Sequence, residues 1–300
     1  MRGEHMADTV FEGAATALIT PMNEKGVDYE AFGRLIDWQI EQGIDALLIA
    51  GTSGEGSTLS DQEHREVLRF AVERAAGRVP MIAGTGSNHT DYAIDLTKYA
   101  CSIGYDAMLV VTPYYNKATQ NGLVKMYEAI GSASSKPLIV YNVPSRTGVN
   151  IEPATYVRLM NVPNVKAIKE AGGNISKALD TYALTEGKLD LYSGNDDQII
   201  PMLSIGGKGV ISVLSNVLPK ETHEMCRKYF QGDVKGALAD QVKYLPLIHA
   251  LFSEVNPIPV KAAMAALGYG ENYVRLPLTK MEKAHEALLF DEMRKLGVLR

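Results

Sequence analysis

Cysteine is scarce, with only Cys101 and Cys226 in 300 residues, which leaves no disulfide framework to stabilise a fold. The two lack CxxC spacing as well, so both are expected as small core residues in a reduced, cytoplasmic setting. No apolar run approaches the roughly 18 residues that span a bilayer, and Met1-Arg2-Gly3-Glu4-His5-Met6 has no apolar stretch like that of a secretory signal. A membrane is therefore not an expected partner. The sequence leaves open whether the native chain starts at Met1 or Met6. There is no long basic run, and 30 Lys plus Arg against 35 Asp plus Glu give a net charge of −5, which argues against nucleic acid. The six histidines (His5, His64, His89, His223, His249 and His285) form no HxH or HExxH pair, so no metal centre is expected.

Two glycine-rich pieces lack the spacing of nucleotide motifs. Gly51-Thr-Ser-Gly-Glu-Gly56 does not follow GxGxxG, and Gly206-Gly-Lys-Gly209 has no Ser or Thr after its lysine. Both read as tight turns. The first lies between a strand and a helix, where its amides suit a small carboxylate.

The chain does have core material, being 46% hydrophobic and 22% charged, with 27 Gly and 13 Pro. Short apolar, β-branched runs alternate with stretches of helical spacing. Strands are predicted at Ala14 to Thr20, Asp45 to Ala50, Pro80 to Thr85, Ala107 to Pro113, Pro137 to Pro144, Val165 to Ala171, Leu189 to Gly194 and Gly209 to Ser215. Amphipathic helices are predicted between them, among them Tyr29 to Gln42, Asp61 to Ala76, Asp91 to Ile103 and Gly122 to Ala133. Leu109-Val110-Val111 and Leu138-Ile139-Val140 lack the alternation of half-exposed strands and fit a parallel sheet covered on both faces. Eight such units predict an α/β fold, a (β/α)8 TIM barrel spanning 7–232. Beyond about Asp233 only helices are predicted (Val234 to Phe252, Pro259 to Leu267, Lys280 to Leu296), giving a C-terminal helical region at 233–300.

In such a barrel the chemistry lies at the carboxyl ends of the strands. Lys169 ends the sixth, and alternation places Val165, Ala167 and Lys169 on one face. If that face is inward, desolvation lowers the amine's pKa and favours the neutral form that attacks a carbonyl. The competing reading is a lysine that snorkels to the rim or pairs with Glu170. Tyr141 and Thr52 end neighbouring inner strands and are suited to pass protons.

Gly51-Thr-Ser-Gly-Glu55, Thr112-Pro-Tyr-Tyr-Asn116, Tyr141-Asn-Val-Pro-Ser-Arg-Thr-Gly148, Ile168-Lys-Glu170, Ser193-Gly194 and Gly209-Val-Ile-Ser-Val213 resemble, in order and spacing, the dihydrodipicolinate synthase family of pyruvate-dependent class I aldolases. The resemblance implies a barrel with a helical C-terminal region, assembled as a homotetramer. It further implies condensation of pyruvate with L-aspartate 4-semialdehyde through a Schiff base on Lys169, with no cofactor beyond that covalent pyruvate imine. By the same resemblance Tyr141, Thr52 and Tyr115 form a proton relay, Tyr115 coming from a neighbouring subunit. Thr52, Ser53 and the Ile211 backbone hold the pyruvate carboxylate, Gly194 lines the pocket, and Arg146 meets the semialdehyde carboxylate. Ser53 stands where many members have a second threonine, and it keeps the hydroxyl. At the position of the family's lysine-inhibition site, His64, Asn88 and Tyr114 fit, but Asp61 replaces a frequent histidine and Tyr92 a glutamate, so inhibition is expected to be weak or absent. The nearest rivals are N-acetylneuraminate lyase and 2-keto-3-deoxy sugar acid aldolases, against which Arg146 speaks.

Overall fold

Each barrel strand forms where the sequence is apolar on both faces, because a parallel strand with its helices outside and side chains inside has no wet face. The computed structural model of the chain describes residues 9–299, so the opening stretch with Met1, His5 and Met6 lies outside it. The barrel strands are β1 (Gly13–Ala17), β4 (Ala46–Ile49), β5 (Met81–Gly84), β6 (Ala107–Val111), β7 (Leu138–Asn142), β8 (Val165–Glu170), β9 (Asp190–Ser193) and β10 (Gly209–Ser212). They close in the order β1-β10-β9-β8-β7-β6-β5-β4. The eight predicted strands are all present; seven are shortened by one to three residues at one or both ends, and β1 begins one residue earlier than predicted and ends three sooner.

A hairpin of two-residue strands, β2 (Met22–Asn23) and β3 (Gly26–Val27), was not anticipated from the sequence. Its strands are too short to show any period. The helices are α1 (Tyr29–Glu41), α2 (Asp61–Ala75), α3 (Thr90–Ser102), α4 (Gln120–Ala133), α5 (Pro144–Thr147), α6 (Pro153–Leu159), α7 (Ile175–Leu184), α8 (Ile199–Ser204), α9 (Pro219–Phe230), α10 (Val234–Leu251), α11 (Ile258–Ala266) and α12 (Lys283–Lys295). Several begin on side chains that satisfy the orphan amides of a first turn. Ser60 and Glu63 form a reciprocal capping box on α2, while Thr119 caps α4 and Asn174 caps α7. Among the described residues no helix is long and apolar enough to cross a membrane.

By its contacts the chain divides into two compact units. The first comprises the described residues through Gly13 together with Pro80–Ile211, and holds β5 to β9 with their helices. Its interior includes fully buried Tyr105, Tyr127, Tyr156 and Tyr192, the last stacked on Phe11 with its hydroxyl donating to the Phe11 carbonyl at 2.7 Å. Cys101 corrects the expectation of two core cysteines: it is half-buried beside Ser134, whereas Cys226 is fully buried in the second unit.

The second unit comprises Ala14–Val79 and the described residues from Ser212 onward. Buried Gln39 donates to the Ser215 and Asn216 carbonyls and accepts from Thr16, so its amide is satisfied inside an apolar core. In the same unit Lys261 of α11 and Glu55 form an ion pair whose side chains are each 1% exposed. Burial pushes the Lys261 pKa down, and only the carboxylate opposes it. Removing one partner strands the other charge, so Lys261→Met should cost about 3–5 kcal/mol of stability in urea unfolding at pH 7. A loss under about 1 kcal/mol would show that Glu55 does not depend on Lys261.

Candidate active site

Parallel register between β7 and β8 sets Tyr141 against Lys169 and Asn142 against Glu170. Successive side chains point to opposite faces, so the first pair belongs to one side of the wall and the second to the other. Lys169 is 5% exposed, with its Nζ 4.5 Å from the centre of the Tyr141 ring. Burial brings its pKa down from 10.5 to about 7; Asp196 pulls it up, and the positive Arg146 pushes it further down. At neutral pH a large fraction of this amine is therefore unprotonated and nucleophilic.

The space for that side chain comes from Gly194, which follows β9. A Cβ there would lie 2.7 Å from the Ala171 Cβ, 3.1 Å from the Glu170 carbonyl oxygen and 3.2 Å from the Lys169 Cε, so a larger residue would clash with Ala171 and press on the lysine. Tyr192, in register with Lys169 on its other side, fills the adjoining barrel layer.

On the other face Asn142 donates to both Glu170 oxygens, at 3.1 and 3.0 Å, and to Asn150 Oδ1 at 2.9 Å, while the Gly172 amide reaches Glu170 at 2.6 Å. Glu170 is thus engaged away from the amine, and the alternative of a Lys169–Glu170 pair is not what forms. A cavity of about 250 Å³ on this side is lined by Asn142, Asn150, Glu170 and Lys177. It is separate from the lysine's surroundings.

Arg146 sits on the single turn of α5, exposed, and the buried Thr147 that follows it anchors that turn. The Thr147 hydroxyl donates to Val149 O at 3.0 Å and takes a hydrogen bond from Thr112 at 3.2 Å. Tyr115 holds a left-handed backbone, φ 69°, and its side chain is 94% exposed. That is an uncommon position for a large non-glycine residue. Asn88 and Tyr114 come together, the Asn88 amide donating to the Tyr114 carbonyl at 3.2 Å, with Tyr92 nearby in sequence on α3. Ile211 is buried in β10.

In the second unit Thr52 and Ser53 occupy the turn after β4, with Ser53 buried, and His64 is buried on α2. The backbone of this turn is tightly wound. A Cβ at Gly56 would come within 2.3 Å of the Ala50 carbonyl oxygen, and Ala50 and Glu55 both adopt positive φ. Asp196, whose charge acts on Lys169, was not assigned a role from the sequence, although it lies in the strand-end run Ser193-Gly194-Asn195-Asp196. Among the described residues no group of three or more His, Cys, Asp or Glu is placed to hold a metal ion.

Residues 10–295 match the Dihydrodipicolinate synthetase family. A 4-hydroxy-tetrahydrodipicolinate synthase of Lachnoclostridium phytofermentans is 53% identical, covering 97% of this chain and 99% of that protein. The crystal structure of a dihydrodipicolinate synthase from Thermotoga maritima superposes with a TM-score of 0.95 at 41% identity, covering 97% of this chain and 100% of that one. Another from Cyanidioschyzon merolae, with lysine bound, gives 0.94 at 38% identity, covering 97% and 100%.

The electrostatics around Lys169 are open to direct measurement. Labelling of Lys169 by a limiting amine reagent should rise with pH to half its maximum near pH 7; a midpoint near 10.5 would mean the amine is not desolvated. Arg146→Met should raise that midpoint by removing a like charge, and Asp196→Asn should lower it by removing the opposite one.

Proposed function

The chain belongs to the dihydrodipicolinate synthetase family and condenses pyruvate with L-aspartate 4-semialdehyde to 4-hydroxy-tetrahydrodipicolinate, in lysine and diaminopimelate biosynthesis; we propose that Lys169 carries this reaction as a Schiff base. The observation that supports Lys169 most directly is its desolvated amine against Tyr141.

The neutral amine attacks the carbonyl carbon of pyruvate, a C–N bond forms, and the oxygen takes a proton. Loss of water from the carbinolamine leaves a protonated imine. That imine draws electrons from the neighbouring methyl group, which gives up a proton and becomes the carbon nucleophile of an enamine. The enamine carbon attacks the aldehyde of the semialdehyde, forming the C–C bond, and the new alkoxide is protonated. The amine of the semialdehyde then adds to the imine carbon, which closes the ring, and cleavage of the bond to Lys169 Nζ, protonated as it leaves, releases the cyclic product and the free amine. No cofactor beyond the covalent pyruvate imine is required by these steps.

In this reading Tyr141, Thr52 and Tyr115 relay the protons. Thr52, Ser53 and the Ile211 backbone bind the pyruvate carboxylate beside Gly194, and the Arg146 fork takes both oxygens of the semialdehyde carboxylate. That carboxylate favours the semialdehyde over the sugar aldehydes of N-acetylneuraminate lyase and the keto-deoxy acid aldolases, as do the names of the close relatives.

Tyr115 supports an oligomer. A strained backbone that presents a whole aromatic ring to solvent has no benefit within one chain, whereas a neighbouring subunit's active site gives it one. In this reading the assembly is a homotetramer built as a dimer of dimers, with 7–232 as the catalytic barrel and 233–300 serving assembly. The two free thiols, Cys101 and Cys226, suit a reducing cytoplasm. At the degenerate effector position of His64, Asn88 and Tyr114, Tyr92 offers no carboxylate to an ammonium group, which supports weak or absent inhibition by lysine.

Reduction of the protein with borohydride in the presence of pyruvate should leave an adduct on the peptide containing Lys169, read by mass spectrometry, and its absence would sink the mechanism. Lys169→Ala should abolish turnover without altering the melting temperature. The rate with aspartate semialdehyde should far exceed that with N-acetylmannosamine, and sub-millimolar lysine should leave it essentially unchanged.

A further inference from the structure

Three residues more than 200 positions later, Asn256, Lys261 and Arg275, fasten the turn that carries Thr52 and Ser53. Asn256, 6% exposed and just ahead of α11, donates from Nδ2 to Ser53 Oγ at 3.0 Å, and its Oδ1 accepts from the same hydroxyl over a longer 3.4 Å. One turn into α11, Lys261 pairs with Glu55. Farther on, the Arg275 amide donates to the second Glu55 oxygen at 3.1 Å. Its guanidinium reaches the Thr58 carbonyl at 2.9 Å and the Glu63 carboxylate at 2.8 and 2.5 Å. Ser53 lies inside this grip, buried, where its rotor is not free to follow solvent.

We propose that Asn256 is a positioning residue for pyruvate capture, its amide setting the Ser53 hydroxyl to donate to the substrate carboxylate while the Lys261–Glu55 pair holds the turn in place. This rests on the reading that Ser53 binds that carboxylate. A serine hydroxyl has one proton and two lone pairs. Donation from Asn256 Nδ2 at 3.0 Å occupies a lone pair, and the proton, held in the long 3.4 Å contact to Asn256 Oδ1, turns to the stronger acceptor when a substrate anion arrives; a carboxylate in place of the amide would hold that proton more tightly. An amide is therefore the suitable group, and a carboxylate of equal size is the wrong one, since it would compete for the proton and repel the substrate.

The test compares Ser53→Ala, Asn256→Ala, Asn256→Asp and the Ser53→Ala/Asn256→Ala double variant, reading the pyruvate concentration for half-maximal borohydride trapping together with both KM values, kcat and melting temperature. Ser53→Ala and Asn256→Ala should each raise the pyruvate requirement about threefold to tenfold. KM for the semialdehyde should stay within about twofold, and the double variant should be no worse than Ser53→Ala alone. Asn256→Asp should bind pyruvate more weakly than Asn256→Ala, an order that volume alone would reverse; it also serves as the variant of preserved shape should the alanine protein not fold.

If Ser53→Ala raises the requirement and Asn256→Ala does not, the positioning role is overturned while the assignment of Ser53 stands. Full additivity in the double variant overturns it too, because Asn256 would then act other than through Ser53. No effect of Ser53→Ala overturns the assignment of Ser53 itself, and the inference with it.

Discussion

The desolvation of one amine governs how the first unit is arranged. An ammonium taken out of water among apolar walls is costly unless it is paired or gives up its proton, and Lys169 has no carboxylate at its own strand position to pair with, because Glu170 is held by Asn142 and Gly172 on the opposite face. The pleat imposes that separation, since neighbours in a strand cannot share a side. What remains around the amine is the Tyr141 ring and the opposing fields of Asp196 and Arg146, and with burial as the main cause its pKa falls to about 7, so that it is partly unprotonated at neutral pH. A lysine placed one residue earlier or later would point outward and stay an ordinary cation. The two-residue period therefore decides the chemistry before any substrate arrives.

This dependence on period explains why so much could be read in the sequence. Runs such as Leu109-Val110-Val111 are apolar on both faces, and only a parallel, doubly covered strand tolerates that. Once the strands are placed, their carboxyl ends bring Lys169 and Tyr141 forward as candidates, whereas the role expected of Arg146 came from the family resemblance. Elements without a repeat gave no such signal. The β2–β3 hairpin has two residues per strand, and α5 is a single turn started by Pro144 after the strand. The environment of Cys101 turned on one neighbour, Ser134, 33 positions away.

Least legible was the attachment of the Gly51 to Gly56 turn. Glu55 reads in the sequence as one more polar residue in a glycine-rich loop, and Lys261 as a charge in an otherwise apolar helix, yet they meet 206 positions apart in the second unit. Nothing in composition or spacing couples them, because the contact exists only after α11 has packed.

The choice of a buried ion pair for this attachment has a physical consequence of its own. Well-packed apolar side chains of similar volume often match or exceed the stability of such a pair, so its presence is weak grounds for expecting extra stability. What it does provide is discrimination, since an apolar contact slides with little penalty whereas a displaced pair leaves two uncompensated charges. The turn it holds includes two residues at positive φ and a glycine pressed against the Ala50 carbonyl, a conformation with little intrinsic preference. A loop of that kind keeps one shape only when its surroundings over-determine it. Glu55 at its centre, bound to Lys261 and to the Arg275 amide, is the group through which the C-terminal helices impose that shape.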